Sequence, residues 1–234
     1  MHGARLPLLF LAAVVTVTLA TGACPNSREA ATEPMNMTIN LPEPRLDGDV
    51  SVEKAIEERR SIRSYTEGPL SLTDVSQLLW SAQGITDEAR NFRAAPSAGA
   101  TYPLELYAVA GEVDDLEPGV YKYNPADNEL VGVLEGDVRR DIYEAALRQD
   151  PVRDAPVVLV FTAVYERTTG RYGERGIRFV HMEIGHAAQN VYLQAGALGL
   201  GTVVIGAFDE DATARIMGLP EEEKALYLIP VGRM

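Results

Sequence analysis

The sequence predicts an α+β fold: a central antiparallel or mixed sheet flanked by helices, with one long helix buried within the structure. Three observations lead there. Helical and extended stretches do not alternate regularly, which disfavours a doubly wound sheet. Val157 to Val164 is an unbroken apolar run rich in β-branched residues, as expected of a central strand covered on both faces. Arg175 to Ala197 is the longest helical stretch, and Ile177, Val180, Ile184, Ala187, Val191 and Ala195 share one of its faces. Ala188, Tyr192 and Leu193 widen that apolar arc, so the helix is buried on more than one side, against the core or a second subunit.

The other elements follow in chain order. Ser51 is placed to cap a helix reaching about Arg60, with Glu53 in its first turn. A second helix begins after Ser71, with Asp74 completing a capping-box variant, and Gly84 follows its end. Leu72, Val75, Leu78 and Leu79 form its apolar stripe. Ile85 to Pro96 reads as loop and Leu104 to Ala110 as a strand. Gly119 to Tyr123 and Glu129 to Leu134 form a hairpin around Asn124–Asn128. Asp137 to Arg148 reads as helix and Thr202 to Ile205 as a short strand. Asp209 caps a helix ending at Gly218. Ala225 to Val231 is the last strand, an edge or a strand end because Pro230 cannot donate to a ladder.

The 234 residues suffice for one domain with a sizeable core. The formal net charge of −13 argues against nucleic acid, which needs a basic footprint, and disfavours anionic membrane surfaces. Residues 1–24 have the shape of an export signal: Arg5, an apolar run from Leu6 to Ala20, then small residues before Cys24. Cys24 is the only cysteine, so an internal disulfide or Cys-x-x-Cys pair is excluded. Its position also suits a lipoprotein signal, although Thr21 stands where a leucine is usual. Lipoprotein, free secretion and an uncleaved anchor all place the domain outside the cytoplasm. Residues 25–49, polar and aperiodic, read as a linker, and 50–234 as the folded domain. Asn36-Met37-Thr38 is a sequon.

Three segments carry candidate chemistry. Arg59, Arg60, Ser61 and Arg63 fall within five residues, and guanidinium forks suit an anionic ligand. A helix C-terminus stabilised by cations, or a solvated basic patch, is the plainer alternative. Pro96, Ser97, Ala98 and Gly99 open a small-residue stretch that allows backbone to approach a flat ligand. Gly206 and Ala207 form a strand-to-helix turn with backbone N–H groups free to donate. An ordinary loop or connection would look the same. His181 and His186 are five apart and miss metal spacing on a helix, so no metal is expected; His186 reads as a packed or interface residue. Gly196, Gly199 and Gly201 precede a strand rather than follow one, against a dinucleotide fold.

Taken together, RRSIR (59–63), PSAGATYP (96–103) and GHAAQN (185–190), in this order, resemble the nitroreductase family of FMN enzymes. Within it, the chain looks most like the flavin dehydrogenases that oxidise azoline rings in modified peptide toxins. The resemblance spans roughly Leu41 to Met234. It implies a homodimer with the long helix at its core and FMN at the interface. Arg59, Arg60 and Ser61 match residues holding the FMN phosphate and ribityl chain. Arg63 matches the cation near the flavin pyrimidine edge. Pro96, Ser97 and Ala98 match a segment reaching the flavin from the partner subunit, and Gly206 and Ala207 a turn facing N5. Arg233 is the candidate for the basic C-terminal contact with the phosphate. Arg171 and Tyr172 match a catalytic Lys-Tyr pair, but an arginine stays protonated and is a poor base. That replacement leaves azoline oxidation in doubt.

The resemblance implies hydride transfer between flavin and a small organic substrate, with NAD(P)H docking transiently if it is the donor. Nitroaromatics and quinones are the acceptors it suggests, and residues 165–175 the variable specificity region. An exported enzyme would meet little NAD(P)H, which favours direct substrate oxidation or a membrane electron donor. The alternative is an exported flavin-binding module without turnover.

Overall fold

The computed structural model describes residues 1–3, 34, 35 and 37–234. Apart from its first three residues, the expected export signal lies outside the described residues, as does Asn36 of the sequon. Thr32–Met234 form one compact unit.

The unit opens with β1 (Thr38–Asn40), inside the stretch read as linker. Met35 and Leu41, on either side of it, are buried, so apolar side chains carry this segment into the sheet. Helix α1 (Val52–Glu58) starts at Ser51, whose side chain accepts the Lys54 N–H. It ends two residues earlier than expected: Arg59 has left helical space at φ −51°, ψ 122°. The arginine cluster therefore lies in the extended segment after the helix. Helix α2 (Leu72–Gln83) has the full Ser71–Asp74 capping box, a device contributing about 1 kcal/mol. The expected loop 85–96 contains a small hairpin, β2 (Ile85–Asp87) and β3 (Phe92–Arg93).

β4 (Leu104–Ala110), β5 (Gly119–Asn124) and β6 (Glu129–Glu135) follow as a meander. The helix expected over 137–148 is shorter: α3 is Arg139–Ala145, because Leu147 and Arg148 turn to positive φ. Helix α4 (Asp150–Asp154) leads into β7 (Val157–Ala163). Within residues 165–175, read as the variable specificity region, lies α5 (Glu166–Tyr172), followed by α6 (Arg175–Ala197). β8 (Leu200–Thr202), α7 (Glu210–Met217) and β9 (Lys224–Arg233) complete the unit.

Seven strands pair antiparallel in the order β1-β6-β5-β4-β7-β9-β8. The run in β7 alternates as a doubly covered strand should. Leu159 and Phe161 face the core built with α2 and α6, while Val158 and Val160 face α3, α4 and α7. On α6 the predicted stripe is buried from Val180 to Ala195, but Ile177 at its start is exposed.

β9 is an interior strand, against the expectation for Pro230. The Pro230 carbonyl accepts Thr202 Oγ1 and Tyr65 Oη, so its missing N–H faces β8 rather than β7. In the register set by Thr202–Val231 and the Ile205–Leu228 bridge, Val203 lies opposite Pro230. The ladder consequently breaks at Val203 and Val204, and β8 stops at Thr202 instead of running to Ile205.

Candidate functional site

Two clusters of candidate residues form, one towards each end of α6. The first gathers Arg59–Arg63, the turn after β8, and the end of β9. Residues 61–66 run along β8 and β9: Ile62 N–H donates to Thr202 O, and Thr66 N–H to Arg233 O. Two glycines admit this segment. A Cβ on Gly201 would stand 2.6 Å from Ile62 Cγ2, and one on Gly232 would stand 2.5 Å from Tyr65 Cγ. Tyr192 of α6 ties the pieces together. Its hydroxyl accepts the Val204 N–H at 2.9 Å and lies 3.0 Å from Ser61 Oγ, while Arg59 sits 5.2 Å over its ring.

Arg59, Arg60, Arg63 and Arg233 have no acidic partner among the described residues. Arg60 does cap α1, donating to the carbonyls of Glu57 and Arg59, as the plainer reading of the cluster anticipated. Arg233 donates through Nε to Pro69 O, and Arg63 makes only a long contact with Ser61 O. Each keeps further N–H donors free. Gly206 and Ala207 are exposed, and their backbone N–H groups have no acceptor among the described residues. A cleft of about 440 Å³ opens here, lined by Arg63, Ser64, Gln149, Asp150, Asp154 and Ile205 among others; of the four arginines, Arg63 alone lines it. Unpaired guanidinium groups beside free backbone N–H groups suit an anionic, hydrogen-bonding ligand.

The second cluster gathers the 96–99 turn, α5 and the first half of α6. Ser97 Oγ accepts the Tyr102 N–H, and a short 3-10 turn over Ala98–Ala100 passes through Gly99 at φ 63°. Gly99 is required twice over. Its φ favours glycine, and a Cβ there would lie 2.4 Å from Tyr172 Oη and 2.8 Å from an Arg171 nitrogen. Arg171 donates to Gly99 O at 3.0 Å, and Tyr172 packs edge-on against Phe179. The sequence-predicted pair and the small-residue turn thus meet directly within one chain. Beneath the turn lies Glu183 of α6, buried, its carboxyl pushed up to about 7 mainly by desolvation. Arg93 is nearby, 4.6 Å over the Tyr102 ring and bonded to Gln83.

The two clusters do not meet within the chain. Glu183 and Tyr192 are nine residues apart on α6, roughly 14 Å along its axis. Sequence reasoning passed over Tyr192, Glu183 and Arg93. Tyr192 read only as apolar surface. Glu183 did leave a signal: an acid between Val180 and Ala187, inside the apolar stripe. His186 is exposed in the chain, so it is not packed in the subunit core. His181, also exposed, meets Tyr165 Oη at 2.6 Å.

With this geometry in place, comparison with known proteins defines the class. The model of the nitroreductase family matches residues 56–233. A Methanocaldococcus jannaschii protein that carries a nitroreductase name is 47% identical over 199 residues, covering 85% of this chain and 98% of that protein. The chain belongs to the nitroreductase family, a family of oxidoreductases. The microcin B17-processing protein of Escherichia coli is 27% identical over 166 residues, covering 68% of this chain and 61% of that protein. Its presence among the relatives agrees with the resemblance to peptide-toxin enzymes. A solved nitroreductase-family structure from Anabaena variabilis superposes with a TM-score of 0.75 at 28% identity, over 85% of this chain and 42% of that one.

Proposed function

We propose that the protein is an FMN-dependent oxidoreductase, acting as a homodimer, that transfers hydride between flavin and a small organic substrate. The observation that carries the reading is the first cluster. In a chain of net charge −13, four arginines without acidic partners among the described residues, Arg59, Arg60, Arg63 and Arg233, fall in one cluster; Arg63 lines its cleft, and the free N–H groups of Gly206 and Ala207 follow the cleft-lining Ile205 in the chain. Arg59, Arg60 and Arg233 are suited to a phosphate, Ser61 to the ribityl chain, and Arg63 to the electron-rich edge of a reduced flavin. Gly206 and Ala207 offer N–H groups to a ring nitrogen. The flavin supplies the redox chemistry; the protein orients it and tunes its charge.

The second cluster supports dimerisation. Pro96, Ser97, Ala98 and Gly99 lie at the far end of α6 from the arginines, so a second copy related by a two-fold axis is the natural way to join them. Arg171 and Tyr172, held against Gly99, then reach the substrate side as catalytic residues. Arg171 orients or polarises and Tyr172 hydrogen-bonds, with NAD(P)H as a transient donor where the compartment supplies it. Residues 1–24 are proposed to export the domain, by secretion or a membrane anchor. A protease-protection assay on intact cells tests that point, and full protection contradicts it.

FMN titration of the purified chain tests the main reading. Tight, saturable binding is expected, with Arg59→Ala and Arg60→Ala each losing about 1.5–3 kcal/mol of it, the usual worth of a charged hydrogen bond. Equal affinity in all three proteins contradicts the assignment.

A further inference from the structure

Among the described residues, three buried side-chain atoms lack a hydrogen-bond partner: Arg93 Nε and both carboxyl oxygens of Glu183. Native proteins leave few such atoms, and an unpartnered buried carboxylate is costly. Glu183 is only 2% exposed. Burial raises its pKa to about 7. Ser97, Arg93 and the Ala98 N–H favour the charged form, but none closes a full hydrogen bond. Ser97 Oγ already accepts the Tyr102 N–H, so its own proton is uncommitted. Two residues further on, Gly99 is covered by Arg171 and Tyr172, and Arg171 cannot exchange a proton near neutrality.

We propose that Glu183 is the proton store of this site, exchanging its proton with substrate through the Ser97 hydroxyl. The proposal rests on the flavin reading above. Reduction of a quinone illustrates the balance. A reduced flavin, if held at the arginine cluster, would supply the hydride and be oxidised by two electrons; this chain's residues supply the proton. The Ser97 O–H bond breaks as its proton joins the acceptor oxygen, and the Glu183 O–H bond breaks to restore the Ser97 hydroxyl. The acceptor gains one hydride and one proton, and Glu183 ends as carboxylate. Substrate oxidation runs the same steps backwards.

The surroundings fit the two states. Arg93 faces the carboxyl from β3 and stabilises the anion once formed. Tyr102, Glu105 and Arg167 lie behind Arg93, and Arg171 and Tyr172 approach the turn from α5. A carboxyl titrating near neutrality combines a usable protonated fraction with sufficient acidity, as general acid–base catalysis requires. Glu183 acts through Ser97 and is a positioning residue for the proton.

The test uses the full chain and its Glu183→Gln, Glu183→Asp and Ser97→Ala variants. Infrared titration without turnover should show, in the wild type, a protonated carboxyl band lost with a midpoint near 7 and absent from Glu183→Gln. A wild-type protein with no such band overturns the proposal even if the glutamine variant does not fold. In single turnover, FMN-loaded protein reduced with dithionite is mixed with p-benzoquinone, and return of the visible flavin band is followed across pH. The wild-type rate should fall as pH rises through 7. Glu183→Gln and Ser97→Ala should be at least about tenfold slower and flat with pH, while Glu183→Asp keeps the pH dependence. A glutamine variant that holds FMN and keeps the wild-type rate and profile overturns the relay but leaves the flavin reading intact. A wild type that cannot hold FMN removes the flavin reading instead, and the relay with it, whatever the infrared titration shows.

Discussion

Tyr192 joins the parts of the arginine cluster. It accepts the Val204 N–H and meets Ser61, so it fixes two segments 143 positions apart, Ser61 before β8's neighbour Ile62 and the turn that follows β8. Tyr192→Phe leaves that N–H without its acceptor. Stability should fall by about 1–2 kcal/mol, the usual cost of a lost partner, read from the denaturant midpoint, with weaker FMN binding alongside. An unchanged midpoint would show that water replaces the hydroxyl. This residue was not legible in the sequence, because a tyrosine on an apolar arc carries no mark of what its hydroxyl meets. Ser61 and the arginines were legible, since three guanidinium groups in five residues are uncommon in so acidic a chain.

At the scale of elements, periodicity and caps identified α2, β4, the β5–β6 hairpin, β7 and α6 with bounds close to those observed. Short elements fixed by tertiary partners were missed. β1 has three residues and exists because β6 offers an edge. The Pro230 effect was read one strand out of place: the proline is interior, and the strand it interrupts is its neighbour β8. Gly232 belongs to the same region, where close approach to Tyr65 holds residues 61–66 against the sheet. Gly232→Ala should destabilise by about 1–3 kcal/mol through overpacking and displace the arginine segment. Thermal unfolding together with FMN titration checks this, and a variant with wild-type values in both would mean that the sheet absorbs the methyl group.

For the whole molecule, two buried carboxyls give opposite pH responses. Burial alone would raise the pKa of Glu223, but hydrogen bonds from Lys122, Thr162 and Tyr107 outweigh it and hold the carboxyl below its ordinary 4.5. Its stabilisation is present above that ordinary value and is lost as pH falls through the lowered one. Glu183 is raised instead. The folded chain holds its proton between the ordinary carboxyl range and about 7, so stability declines as pH rises across that window. Unfolding measured from pH 3 to 8 should therefore peak on the weakly acid side. Glu223→Gln should flatten the acid limb and Glu183→Gln the neutral one. Retention of the neutral slope in the Glu183 variant would assign it to another group.

The central claim is that each flavin site draws its arginines from one subunit and its Ser97–Gly99 turn from the other. Complementation tests it most directly. Arg60→Ala damages one cluster and Gly99→Val the other, and each variant alone should purify with little FMN. Co-expressed with separate tags and isolated as mixed dimers, they should regain one intact site per dimer, hence flavin at about half of the wild-type occupancy, following from two-fold symmetry. Mixed dimers no richer in flavin than the single variants would contradict the shared site and place both clusters in separate roles.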